Sequence, residues 1–312
     1  FFRERIRQAA AFREKVVTGT DSLRLVYSEA DFLPGLIVDR YGAHLVVQAL
    51  SQGMDREQEK IAAVLRELFQ PKGILARNDA PVRVKEELPR EVKVLDGEVP
   101  DVVTLRINGF TLEAELRTGQ KTGIFLDQRE NYLAAARYAR GQALDCFTCT
   151  GGFAIHMAGR CERVLAVDSS AASLAVARRN AALNGIENID FLEANVFDLL
   201  NAPAFARRRF DTIVLDPPAF AKSRSNLDAA VRAYKEINLR ALRLLAPGGI
   251  LVSCSCSHHL SEAELLGVIS DAARDAGRAV RILERRMQAQ DHPVLLSVPE
   301  TLYLKCLILE AL

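Results

Sequence analysis

No run of apolar residues in this chain reaches the roughly 18 that a membrane-spanning helix needs, which excludes such a helix. Charge of one sign is also missing. The 41 Lys and Arg stand against 40 Asp and Glu, a net +1. A polycation is excluded, so any nucleic-acid surface must come from local patches. The start, FFRERIRQAAAFREK, is basic and amphipathic but has no long apolar stretch or cleavage site, and does not read as a secretion signal. The regular cysteine spacing of a disulfide framework is absent. Several of Cys146, Cys149, Cys161, Cys254, Cys256 and Cys306 sit in apolar, strand-like segments, which fits reduced thiols and a cytoplasmic setting. Cys146 and Cys149 form a lone C-x-x-C. Zinc needs about four ligands, so no metal site is expected. There is no internal repeat. What is present is ordinary globular composition, 49% apolar and 26% charged over 312 residues, enough for about two domains.

The periodicity divides the chain into an N-terminal helix or linker (1–17), an α+β region (18–117) and a longer α/β region (118–312). In the α+β region strands alternate with a helical pattern at Ile61, Val64, Leu65 and Leu68, and a hairpin turns on Asn108-Gly109. The α/β region alternates strand and helix. Strands are predicted at 143–147, 163–167, 189–193, 212–215 and 250–253, which implies a parallel sheet covered on both faces. AVRILERRMQA and LYLKCLILEAL read as an antiparallel pair closing that sheet.

Chemistry concentrates at the ends of those strands. ALDCFTCTGGFAIH is a buried strand, a turn at Gly151-Gly152 and a new helix, so backbone can approach a ligand and free N–H groups face it. Asp145, Phe147 and Thr150 flank that turn. The next strand ends in Asp168-Ser169, where an acid can accept from both ribose hydroxyls of a nucleoside cofactor or, more blandly, cap a helix. FLEANVFD places Asn195 and Val196 where an adenine edge and face would lie, with Asp198 as the expected cap of the following helix. DPPAF ends the fourth strand. Its two prolines remove two N–H donors and stiffen a loop that can aim Asp216 and the Pro217 backbone at the crevice.

Residues 143–256 resemble the class I methyltransferases: glycine loop, ribose acid, DPP loop and terminal hairpin come in the expected order. That implies S-adenosyl-L-methionine as cofactor and S-adenosyl-L-homocysteine as product. A dinucleotide dehydrogenase is disfavoured, because the glycines do not spell G-x-G-x-x-G.

The fifth strand, GGILVSCSCSHH, sets Cys254 and Cys256 on one side, with Cys256 at the carboxyl end. Cys254 reads as a small buried hydrophobe. Cys256 suits a nucleophile, since a thiolate adding to carbon 6 of a pyrimidine activates carbon 5. Asp216 is the candidate general acid toward the ring nitrogen. KTGIFLDQREN, DCFTCTGGF, DPPAFAKSR, SCSCSHH, QDHPV and PETLYLK together resemble the bacterial 23S ribosomal RNA cytosine-5 methyltransferases over almost the whole chain.

That resemblance implies Cys256 as nucleophile, Asp216 as acid, and Gln128 and Arg129 in a segment lining the cofactor site, with Arg129 suited to pair with the methionine carboxylate. It implies 23S ribosomal RNA or a large-subunit precursor as partner, no membrane, and leaves a homodimer open. Members commonly begin with an RNA-binding PUA domain, which is not evident here. The two-cysteine cytosine methyltransferases carry a second cysteine after the proline of the DPP loop. None stands there, so a one-cysteine scheme is expected.

Lys222, Arg224, Arg232 and Lys235 follow the DPP loop and can contact phosphates, although a solvated helix face explains them equally well. Tyr234 reads as core, and His258 and His259 as surface. Two rivals remain: methylation of a guanine or exocyclic amine without a covalent step, and a non-catalytic RNA-binding assembly factor.

Overall fold

The computed structural model describes residues 1–220 and 226–312. Within it the chain forms two compact units, Phe1–Arg129 with Ala289–Thr301, and Glu130–Gln288 with Leu302–Leu312.

The first unit holds α1 (Phe2–Val16), β1 (Ser22–Tyr27), β2 (Leu36–Tyr41), β3 (His44–Ala49), α2 (Gln52–Arg56), α3 (Gln58–Phe69), β4 (Gly73–Asn78), α4 (Val82–Lys85) and β5 (Glu91–Gly97). A hairpin of β6 (Val102–Ile107) and β7 (Phe110–Glu115) completes it. Its five strands run in the order β1-β2-β3-β4-β5, with only β3 and β4 parallel. The crossover between those two carries α3, whose Ile61 and Leu65 share a core with Ile6 and Ala9 of α1. The hairpin turns on Asn108 and Gly109, both at positive φ (54° and 88°), as a two-residue turn of matching twist requires.

The N-terminal helix is thus part of this unit rather than a separate segment. A buried guanidinium is costly unless its donors are met. Arg13 of α1 meets them with the Arg24 and Asp291 carbonyls and the Asp31 carboxylate. Two further departures from the expected boundaries have the same cause. Segments 118–129 and 289–301 join this unit because their buried polar groups find partners in it. Thr122 donates to Asp39 at 2.5 Å, and Arg129 pairs with Asp291 at 2.9 Å. The His292 ring and Arg129 also hold the Asp291 carboxyl below the usual range, outweighing the opposing effect of burial.

The second unit contains α5 (Arg129–Tyr138), β8 (Gly141–Cys146), α6 (Gly152–Ala158), β9 (Cys161–Asp168), α7 (Ala171–Leu183), β10 (Ile189–Glu193) and α8 (Val196–Asn201). It continues with β11 (Phe210–Leu215), α9 (Leu227–Leu244), β12 (Leu245–Ser255), α10 (Glu262–Ala276), β13 (Val280–Arg286) and β14 (Lys305–Ala311). The sheet order is β10-β9-β8-β11-β12-β14-β13. The first five are parallel, and β14 lies antiparallel between β12 and β13. Leu144, Ile213, Leu215, Leu251 and Leu307 of the sheet share one core with Tyr234, Ile237 and Leu265 of the helices. The chain winds outward from β8 through β9 to β10, then returns to start again at β11 on the other side. That reversal opens a crevice at the carboxyl ends of β8 and β11, where ligands bind in such sheets.

Candidate active site at the carboxyl ends of the strands

Leaving β8, the backbone enters the left-handed region at Phe147 (φ 65°), Cys149 (51°) and Gly151 (89°). Each non-glycine in that region costs about 1–2 kcal/mol, so the surroundings must hold the turn in place. Asp145 does so from beneath. It is fully buried, and its Oδ2 accepts from the Thr148 hydroxyl (2.6 Å) and the Ala154 amide (3.0 Å). Its Oδ1 has no partner among the described residues. Burial pushes this carboxyl up to about 7, aided by Asp168 and opposed by the Thr148 and Ala154 hydrogen bonds.

This sets a sign for stability. Between the ordinary carboxylate range and about pH 7, the folded protein holds a proton at Asp145 that the unfolded chain has released. The Asp145 contribution is therefore present at low pH and is lost as pH rises through that window. We expect Asp145→Asn to gain about 3 kcal/mol relative to wild type between pH 5 and pH 7.5, read as the difference between two urea-unfolding series. Parallel pH dependences would refute it.

Gly151 and Gly152 are needed for different reasons. Gly151 supplies the positive φ, whereas a β-carbon on Gly152 would fall 2.5 Å from the Tyr132 hydroxyl oxygen. Gly152→Ala should lower the melting temperature by roughly 3–10 °C by overpacking, and a scanning calorimetry trace matching wild type would contradict this.

Asp168 closes the turn from β9. Its two oxygens accept the amides of Cys149 and Ser170, each at 2.9 Å. The cap of α7 is Ser170, whose hydroxyl accepts from the Ser173 amide, so neither Asp168 nor the exposed Ser169 caps this helix. A second correction concerns α8. Its cap is Asn195, which accepts from the Phe197 and Asp198 amides, and Asp198 lies in the first turn. The Asn195 carbonyl expected on an adenine edge is thus committed to the cap, and Val196 is buried in the core.

The ends of β11 and β12 lie side by side. The Asp216 amide donates to the Cys146 carbonyl (3.4 Å), with Pro217 buried and Pro218 exposed. Cys256 is the first residue beyond β12. Its partly exposed sulfur lies 3.9 Å from the Pro217 carbonyl oxygen. Cys254 is fully buried opposite Cys306, as expected of a small hydrophobe. Phe220 packs against Phe197 and Tyr234, its ring 4.8 Å from that of Tyr234.

Two further groups lie beside the Cys256 segment. Tyr234 is buried, and its hydroxyl joins the Ser255 (2.9 Å) and Ser257 (3.2 Å) hydroxyls on either side of Cys256. Burial pushes this phenol up to about 12. Lys305 of β14 donates to the Ser257 and Tyr303 carbonyls. Its presence in the segment LYLK was the available signal, but its partners come from strand pairing.

Gln128 and Arg129 are buried, and Arg129 pairs with Asp291. Lys235 pairs with Asp275 of α10 at 2.7 Å, while Arg232 is exposed on the same helix. Lys222 and Arg224 lie outside the described residues. Among the described residues no helix is long and apolar enough to cross a membrane.

A methyltransferase-domain family matches residues 139–294. The ribosomal RNA large subunit methyltransferase I of Aeromonas salmonicida is 42% identical over 318 residues, covering all of this chain and 80% of that protein. The protein of the same name from Cronobacter sakazakii is 40% identical over 312 residues, covering 98% of this chain and 79% of its own length. A solved structure from Streptococcus mutans, assigned as a SAM-dependent methyltransferase, superposes with a TM-score of 0.86 at 20% identity, over 99% of this chain and 80% of that one. With that identity sustained along the full chain, the chain belongs to the ribosomal RNA large subunit methyltransferase I family.

Proposed function

We propose that this enzyme methylates carbon 5 of a cytosine in 23S ribosomal RNA, with S-adenosylmethionine as donor and Cys256 as covalent nucleophile. One observation carries the reading: the Cys256 sulfur is partly exposed at the carboxyl edge of the sheet, against the carbonyl of the Asp216-Pro217 loop. The residues fit the donor. Gly151 and Gly152 leave backbone bare at the turn, Asp168 offers acceptor oxygens at the end of β9, and Asp145 lies beneath with an oxygen that has no partner among the described residues. S-adenosylmethionine, when bound, supplies an electrophilic methyl group.

The Cys256 thiolate adds to carbon 6 of the base, forming a carbon–sulfur bond, while Asp216 gives a proton to the ring nitrogen. Carbon 5 is then enamine-like and takes the methyl group. A base removes the carbon-5 proton, Cys256 leaves, and Asp216 recovers its proton. The non-covalent rival fits less well, because Phe220 is packed on Tyr234 and Phe197 rather than left to grip a planar amine. Six free thiols support action in the cytoplasm.

The test is nucleoside mass spectrometry of large-subunit RNA from a strain lacking the gene, before and after incubation with enzyme and S-adenosylmethionine. New 5-methylcytidine is expected. New methylguanosine, or no product on naked RNA and on particles alike, would overturn the reading.

A further inference from the structure

Lys305 poses a problem of charge. It is 5% exposed, and among the described residues it forms no ion pair. Its hydrogen bonds go to two neutral carbonyls, Ser257 at 2.7 Å and Tyr303 at 2.8 Å, out of three ammonium donors. A buried cation is costly without an anion nearby. The chain around its acceptors shows which group can become that anion. Lys305 stands opposite Ser255 across the β12–β14 pair, one residue before Cys256, and one of its acceptors is the residue after Cys256. One anchor of the Lys305 ammonium is thus the carbonyl of the residue that follows Cys256.

We propose that Lys305 is a positioning residue that holds Cys256 as the thiolate, through an ammonium fixed beside the sulfur by the Ser257 and Tyr303 carbonyls. The inference rests on Cys256 being the nucleophile, and it answers how a thiol that is ordinarily protonated at neutral pH becomes reactive there.

The surrounding electrostatics agree. Burial pushes the Lys305 ammonium down to about 8, while the Cys256 sulfur is the largest influence raising it, ahead of Glu264 and Glu262. From the facing loop, His258 is lowered by burial first and then by Lys305. Hydrogen bonds from Ser261 lower Glu264, with Lys305 adding to them. Of these groups, Cys256 is the one in the crevice whose charge the proposed reaction uses. The Tyr234 hydroxyl, bonded to the Ser255 and Ser257 hydroxyls, fixes the same strand end.

The experiment is the pH profile of iodoacetamide alkylation at the Cys256 peptide, followed by mass spectrometry on the full chain without RNA or cofactor. In wild type the midpoint should lie below the value of about 8.5 for a free cysteine. In Lys305→Met it should move up by roughly one unit, slowing alkylation at pH 7 by about tenfold, and Lys305→Arg should restore most of the rate. A wild-type midpoint at or above that of free cysteine overturns the proposal without recourse to any variant. So does an unmoved profile in a Lys305→Met protein that melts near the wild-type temperature.

In steady state, Lys305→Met should lower kcat with KM for RNA little changed. Failure of this inference leaves the nucleophile reading standing. Full methylation by Cys256→Ala would sink that reading instead, whatever the alkylation profile.

Discussion

Cys256→Ala is expected to lower methyl transfer by about a thousandfold or more while leaving S-adenosylmethionine affinity within a factor of about two. The size of the effect follows from the substrate. Carbon 5 of cytosine is a poor nucleophile until a group adds at carbon 6, and alanine cannot add. The small effect on binding follows from the fold, since the candidate cofactor groups sit on β8 and β9 while Cys256 ends β12. RNA carrying 5-fluorocytosine has no carbon-5 proton for a base to remove. Wild type should therefore form an adduct that survives denaturing electrophoresis, and Cys256→Ala should form none. Cys254→Ala separates the two cysteines: it should still form the adduct, with some loss of stability from the small cavity. Turnover by Cys256→Ala at the wild-type rate would end the covalent mechanism.

Asp216→Asn should cost roughly a hundredfold to ten-thousandfold in kcat, the range spanned by general acid–base catalysis. The loop that carries Asp216 is stiffened by Pro217 and Pro218 and tied back by the Asp216 amide to Cys146, so the substitution should change chemistry rather than shape. Single-turnover kinetics with saturating RNA would check it, together with calorimetric titration of the cofactor. An unchanged kcat with cofactor affinity weakened more than tenfold would make Asp216 a binding group and remove it from proton transfer. Adduct formation on 5-fluorocytosine RNA should slow in parallel with kcat, because the proton and the carbon–sulfur bond belong to one step.

Much of this was legible before any coordinates. Five apolar strands separated by helical spacings announced a parallel sheet, and β10 (Ile189–Glu193) matched its expected bounds. The positions of Asp168, Asp216 and Cys256 at or just past strand ends were legible, and in a doubly wound sheet the strand ends border the crevice. What was not legible shares one character. Asn195 caps α8, where Asp198 had been expected to, since two nearby amides were within reach of its side chain. Arg129 was read for its charge alone, and Asp291, 162 positions away, pairs with it. Tyr234 was placed correctly in the core, but its hydroxyl bridge between the two serines could not be read from α9 by itself.

From sequence alone come the alternation of elements, the order of motifs along the sheet and the chemistry at each strand end, because periodicity and residue type act over a few neighbours. The tertiary structure alone decided the pairing of distant polar groups: segment 289–301 within the first unit, the buried Asp145 beneath the glycine turn, and Lys305 on the Ser257 carbonyl. The reason is energetic. A buried charge or hydroxyl must find a partner or bear the cost of desolvation, and which partner comes within reach depends on the whole fold.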